Sequence, residues 1–190
     1  VHFLYKKLRD IIIESGLIVS PLLKAVTLFF SKEKLKNVLI NPSEFPESGK
    51  NKREADIFET TVSSLLSSGG FPSIPLKGYD VLTNPNSKKE IGSADILSYD
   101  EKTATLLVIS CKSKTVERNV VDQISNTAKK IEELLKEPHV NVLPVIFTAD
   151  EAIAIKETAK TVGVAIVDKS KIDDLFKKVQ VEKLVVEEIF

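Results

Sequence analysis

Ile91–Lys114 reads IGSADILSYDEKTATLLVISCKSK. Ala94–Tyr99 and Ala104–Cys111 are runs dense in β-branched and large apolar residues, and the polar Asp100-Glu101-Lys102 between them suits a tight hairpin. The second run carries no charge and reads as a central strand buried on both faces. Strands joined this way are antiparallel, so the start of the first lies beside the end of the second. Asp95 and Lys112 are therefore expected on one rim of a sheet. Ser110 shares the face of Lys112, and strand alternation turns Cys111 to the opposite face, where the core reading outweighs any nucleophilic one.

Working outward, Glu54–Ser68 has apolar residues at helical spacing (Ala55, Phe58, Val62, Leu65, Leu66) and is stopped by Gly69-Gly70. Tyr79–Thr83 is expected to be a strand joined to Ala94–Tyr99 by the polar turn 84–89. Downstream, Val120–Leu135 reads as a helix closed by Glu137-Pro138. Val140–Phe147 is a strand, Ala149–Val162 a helix ending at Gly163, Val164–Val167 a strand, and Ile172–Phe176 the start of another helix. The tail from Val181 to Phe190 fits neither period cleanly. The order α-β-β-β-α-β-α-β predicts an α/β fold. Its mixed sheet is antiparallel in the hairpin half, parallel with right-handed crossovers in the second half, and flanked by helices.

Upstream, NPSEFPESGKNKR (41–53) has the Pro, Ser, Gly and charge of a linker. It separates a small, mainly helical N-terminal extension (1–40) from the domain at 54–190. In the extension, Phe3–Glu14 and Ser20–Leu39 have helical patterns. The apolar stretch Leu17–Phe30 is interrupted by Pro21 and Lys24 and is too short to span a bilayer, so no membrane partner is expected. Lys+Arg and Asp+Glu both number 27, so any nucleic-acid surface must come from local lysine clusters. The single cysteine excludes an internal disulfide and is usual for a reducing compartment, here expected to be the cytoplasm. His2 and His139 have no partners in sequence that suggest catalysis.

A carboxylate and an ammonium on one rim suit phosphodiester hydrolysis. The first can bind Mg²⁺, and the second can orient water or offset negative charge. An ordinary strand-end ion pair is the plain alternative. The surrounding pattern adds to the first reading. Phe58-Glu59-x-x-Val62-x-x-Leu65-Leu66-x-x-x-Gly70-Phe71, then Ser93-Ala94-Asp95-Ile96-Leu97, then Val108–Lys112, resemble the Mrr-like branch of the PD-(D/E)xK nuclease superfamily. Val145–Thr148, Ala152–Ala159, Val162–Asp168 and Ile172–Leu175 continue the likeness in order and spacing, over about two-thirds of the chain.

The resemblance implies a restriction-endonuclease-like fold and a metal-dependent nuclease acting on DNA more than RNA, with Mg²⁺ or Mn²⁺ as cofactor. It makes Asp95 the principal metal ligand, Glu59 a supporting carboxylate, Lys112 the catalytic lysine and Gln123 a polar neighbour of the site. Nucleic acid would meet Lys114, Arg118, Lys88 and Lys89, with Lys77 nearby, and a homodimer would serve to cut two strands. One position departs from the family. Two residues before the lysine, where an acid or Gln is usual, stands Ser110, a neutral and weak ligand for a hard cation. Glu59 or Asp80 then supplies the charge, or the metal binds weakly, or the domain is a catalytically inactive scaffold that binds nucleic acid or a protein partner.

Overall fold

The uncharged run of the hairpin forms β5 (Thr105–Lys112), buried at every position but the last. A strand so deeply buried needs a partner along both edges and a cover on both faces, and the chain provides them. In the computed structural model, which describes residues 21–29, 50–76, 81–83 and 90–179, the other elements follow in chain order. They are α1 (Pro21–Phe29), α2 (Lys50–Ser68), β1 (Ser73–Pro75), β2 (Val81–Thr83), β3 (Glu90–Ser93), β4 (Ile96–Asp100), then α3 (Arg118–Leu135), β6 (Asn141–Thr148), α4 (Ile153–Thr161), β7 (Ala165–Val167) and α5 (Lys169–Val179). The five-stranded sheet has the order β1-β4-β5-β6-β7, and β2 and β3 form a small sheet of their own. β4 is antiparallel to β5 and to β1, whereas β6 runs parallel to β5 and to β7.

Alternation along β5 sorts the core into two layers. Leu106 and Val108 pack with Val121, Ile124, Ala128 and Ile131 of α3 and with Leu22, Ala25 and Val26 of α1. Leu107, Ile109 and Cys111 pack with Val62, Leu65 and Leu66 of α2 and with Ile172 and Leu175 of α5. Each fully buried Leu or Ile contributes roughly 1.5–3 kcal/mol, so a one-residue slip of β5, which would exchange the layers, is strongly disfavoured. The stop after α2 is a Schellman turn. Phe71 N–H donates to the Leu66 carbonyl at 2.9 Å and Gly70 N–H to that of Ser67 at 3.1 Å. Gly70 has φ 97°, which suits glycine, and the following Phe71 is buried against the α2 layer.

Four features differ from the sequence expectations. The partner of β2 is β3, with Val81 opposite Ser93 and Leu82 opposite Gly92, and the chain bends at Ala94-Asp95 before β4 begins. Gly92 explains the detachment, because a Cβ there would lie 2.3 Å from Thr127 Oγ1 of α3. Without a side chain β3 can lie against that helix, and Ser93 N–H donates to the same hydroxyl at 3.1 Å. β1 was not foreseen: three residues ending in Pro75 give almost no period, and proline is tolerated because β1 is an edge strand. The linker expected over 41–53 is helical from Lys50, consistent with the helix propensity of Lys and Arg. Finally, α1, assigned from sequence to a separate extension, is packed into the core of the main sheet through Leu22, Ala25 and Val26.

The remainder of the extension, the turn 84–89, Lys77, Asp80, the tail 181–190 and His2 lie outside the described residues. No described helix is long and apolar enough to cross a membrane.

Candidate functional site

The hairpin turn is held by the buried Asp100. Its carboxylate accepts the Lys102 N–H at 3.0 Å and the Thr103 hydroxyl at 2.8 Å, and Ala104 leaves the turn at φ 51°. The resulting register sets Ile96 opposite Ile109, which puts Asp95 opposite Ser110. Asp95 is fixed at the bend by its backbone: its N–H donates to the Ile109 carbonyl at 2.8 Å, and its own carbonyl accepts the Leu76 N–H at 2.9 Å. Its Oδ2 accepts the Ser110 hydroxyl at 3.1 Å and the Cys111 N–H at 2.6 Å. Ser110 is buried, while Asp95 and Lys112 are half-buried at the rim.

Cys111 occupies the opposite layer. Its thiol is pushed well above the ordinary value of 9.0, first by burial, then by the negative charges of Asp95 and Glu59, with Lys112 opposing them. A thiol held protonated is a core side chain and a poor nucleophile. A further contribution to this shift comes from Glu59. It is half-buried on α2, the helix that packs on the Cys111 layer, while Asp95 bonds to Ser110, a residue of the alternate face of β5.

The loop beyond Lys112 is tied to the end of β6. Lys112 carbonyl accepts the Ala149 N–H at 3.0 Å, Thr148 Oγ1 donates to the Lys114 carbonyl at 3.4 Å, and Thr115 Oγ1 donates to Asp150 at 3.1 Å. Lys114 is exposed on this loop, and Arg118 begins α3 just after it. Gln123 and Arg118 lie on different flanks of α3. Gln123 is exposed one turn before Thr127, on the flank that meets β3, and its carbonyl accepts the Thr127 hydroxyl at 2.8 Å. Arg118 lines a shallow groove of about 260 Å³ with Asp122, with Glu157, Thr158 and Thr161 of α4, and with Val162. Of the expected nucleic-acid contacts, Lys88 and Lys89 lie outside the described residues.

Three features of the neighbourhood were not anticipated as site elements. Thr127 is fully buried and clamps β3 through Gly92 and Ser93; an isolated Gly within a strand pattern was the available signal. Thr148 gathers the loops after β5 and β6. Asp168, noted only as part of a pattern, is 1% exposed at the end of β7 and caps α5. Its Oδ1 accepts the Ser170 hydroxyl at 3.1 Å and the Lys171 N–H at 3.3 Å, and Lys156 Nζ stands 2.5 Å from Oδ2. Burial alone would raise the Asp168 pKa, but Lys156, Lys171 N–H and Ser170 together bring it below its ordinary 3.8.

Mg²⁺ prefers oxygen ligands and is often held by one or two carboxylates plus substrate phosphates. Among the described residues no group of three or more His, Cys, Asp or Glu side chains converges to hold a metal ion. Asp95 with the neutral Ser110 therefore fits a cation that arrives partly liganded by phosphate and does not fit a cage closed by these side chains alone. Comparison with protein-family models, with curated proteins and with solved structures returned no match.

Proposed function

We propose that the Asp95–Lys112 rim is the centre of a metal-dependent nuclease, acting on DNA more readily than on RNA. The observation that carries this reading is the Asp95 carboxylate hydrogen-bonded to Ser110 on the strand that ends in Lys112. Ser110 and the Cys111 N–H fix the Asp95 carboxylate at the rim through Oδ2. A Mg²⁺ or Mn²⁺ ion held there by Asp95 and the substrate would supply Lewis-acid stabilisation of the phosphoryl oxygens. Lys112 orients the attacking water or offsets the charge that builds on the phosphate in the transition state. Glu59, Gln123 and Lys114 are the supporting groups in this reading. DNA is the first substrate on the strength of the sequence resemblance, as is a homodimer.

A second reading is favoured by the same hydrogen bond. Ser110 brings no charge, so the domain would be an inactive nuclease-like scaffold that binds nucleic acid or a protein partner. Incubation of the full chain with plasmid and single-stranded substrates in Mg²⁺, Mn²⁺ or EDTA separates the two. Metal-dependent cleavage that disappears in both Asp95→Asn and Lys112→Ala supports the nuclease. Absence of cleavage with either metal moves the scaffold to first place, and cleavage at the wild-type rate in both variants puts the activity elsewhere.

A further inference from the structure

We infer that Thr148 is a positioning residue for nucleic acid. Through its buried hydroxyl it holds the loop after β5 so that Lys114 meets a backbone phosphate beside the Asp95–Lys112 rim. The inference rests on reading that rim as a nucleic-acid site, and adds a residue that acts on it from the neighbouring strand without touching substrate.

The loop begins where β5 ends. Ser113–Glu117 belongs to no helix or strand, yet it carries Lys114 and leads directly into Arg118 at the start of α3. Both its ends are anchored. Lys112 pairs with Thr148 across β5 and β6, its carbonyl accepts the Ala149 N–H at 3.0 Å, and Val116 is buried in the α3 layer. Lys114 lies between these anchors with its side chain exposed. An exposed lysine samples many rotamers, so what the fold can fix is the backbone from which the side chain departs.

Thr148 does this from beneath. It is 0% exposed, so its hydroxyl has to find its partners inside the protein. It accepts the Asp150 N–H at 3.2 Å and donates to the Lys114 carbonyl at 3.4 Å. One buried hydroxyl thus joins the loop after β6 to the residue whose ammonium reaches solvent. The Thr115 hydroxyl, donating to Asp150 Oδ2 at 3.1 Å, makes a second tie between the same two loops on the exposed side. Two carboxylates, Glu117 and Asp150, lie on these loops and oppose the charges of Lys112, Lys114 and Arg118. Substitutions of Thr148 leave all five charges in place, so a change in binding reports geometry alone.

Fluorescence anisotropy of labelled single-stranded and duplex DNA, titrated with the full chain in EDTA over a range of salt, reads the effect without any cleavage. Lys114→Gln sets the scale, since loss of one phosphate contact lowers the salt slope by about 0.7 to 0.9. Thr148→Val keeps the size of the side chain and every charge. It is expected to weaken binding about threefold or more and to lower the slope by about half as much as Lys114→Gln. Thr148→Ser keeps the hydroxyl and should bind as wild type, and Thr148→Ala, which adds no bulk, replaces the valine variant if that one does not fold. In a Lys114→Gln background Thr148→Val should weaken binding by less than about twofold more, because the residue it acts through is gone. Thr105→Val is the control: this buried threonine lies at the opposite end of β5, bonded to Thr103, and its loss should leave binding unchanged. A folded Thr148→Val variant with wild-type affinity and slope overturns the inference. An equal loss in both backgrounds also overturns it, by making Thr148 a general stabiliser, and so does a wild-type chain that binds neither DNA. In a chain that cleaves, KM should rise with Kd while kcat holds within about twofold, and a fall in kcat alone would count against the role. Non-additive binding losses in a protein that never cleaves would retain the role of Thr148 and reject the nuclease. Metal-dependent cleavage with additive losses would do the reverse.

Discussion

Two strand-end aspartates, Asp95 and Asp168, border the same sheet and are held in opposite ways. Asp168 is almost fully buried, faces a lysine ammonium, and caps a helix with its other oxygen. Asp95 is half-buried, and the donors to its Oδ2, the Ser110 hydroxyl and the Cys111 N–H, are neutral. A carboxylate neutralised by a cation and committed to a cap serves the fold. Asp95 is instead held at a bend by donors from the neighbouring strand, without serving as a helix cap. The proposed function gives chemistry to Asp95, whereas the contacts of Asp168 are those of a structural residue, and the contrast can be attacked from both ends.

The largest expected effect is on the reaction. Asp95→Asn is expected to lower cleavage by at least about 10³-fold, roughly 4 kcal/mol of transition-state stabilisation. The folded state should change little, because Asn still accepts the Cys111 N–H. Asp95→Ala is the poorer test, since stripping that acceptor from a buried N–H costs about 1–3 kcal/mol. Single-turnover cleavage together with a thermal melt checks both halves. A variant that cleaves normally would remove the contrast with Asp168.

Asp168→Ala should act on stability instead, lowering it by about 2 kcal/mol through loss of the α5 cap and of the partner of Lys156. The urea midpoint measures this, and a value equal to wild type would mean that Asp168 is not the structural member of the pair.

A smaller effect appears in acid. The Asp168 pKa is lowered on folding from its ordinary 3.8, so its contribution to stability is complete above that value. It is lost as pH falls through the still lower folded value. Melting temperature should therefore fall more steeply below about pH 4 in wild type than in Asp168→Asn. Parallel curves would assign the acid transition to other groups.

The smallest effect is expected from Ser110→Glu. A second carboxylate next to Asp95 should strengthen Mg²⁺ binding several-fold, on the order of 1 kcal/mol in a solvated setting, at some cost in stability because the position is buried. Calorimetric titration with Mg²⁺ and Mn²⁺ reads it. Unchanged binding in a folded variant would favour the inactive scaffold.

Much of the Asp95 side of this contrast could be read from residue spacing. A short polar turn between two apolar runs leaves few registers, and strand alternation then sorts Ser110 and Lys112 from Cys111. The Gly69-Gly70 stop of α2 was legible for a similar reason, since left-handed backbone and glycine go together. The Asp168 side was not legible. Nothing local connects Lys156, on a helix before β7, with the carboxylate that follows that strand; the contact exists only after the crossover is folded. Glu59 was readable as a helix residue, but the layer of the sheet that α2 covers depends on packing, and it is the Cys111 layer. β3 was missed because its position depends on the fit of Gly92 against Thr127, a contact 35 residues away in sequence by subtraction of their numbers.

The central strand has a further consequence for handling the protein. Thr105–Cys111, TLLVISC, is uncharged, rich in β-branched residues and free of proline, the composition of segments that stack into cross-β fibrils once they escape a fold. In the native sheet both its edges are occupied and both its faces covered, while the outermost strands are only three residues long and one of them ends in Pro75. The native protein thus presents poor templates for edge-to-edge growth and keeps its most adhesive segment in the middle. Heating past the melt reverses that protection. Aggregation should then be seeded from Thr105–Cys111, and a charged residue introduced there to suppress it would have to be buried in the folded state.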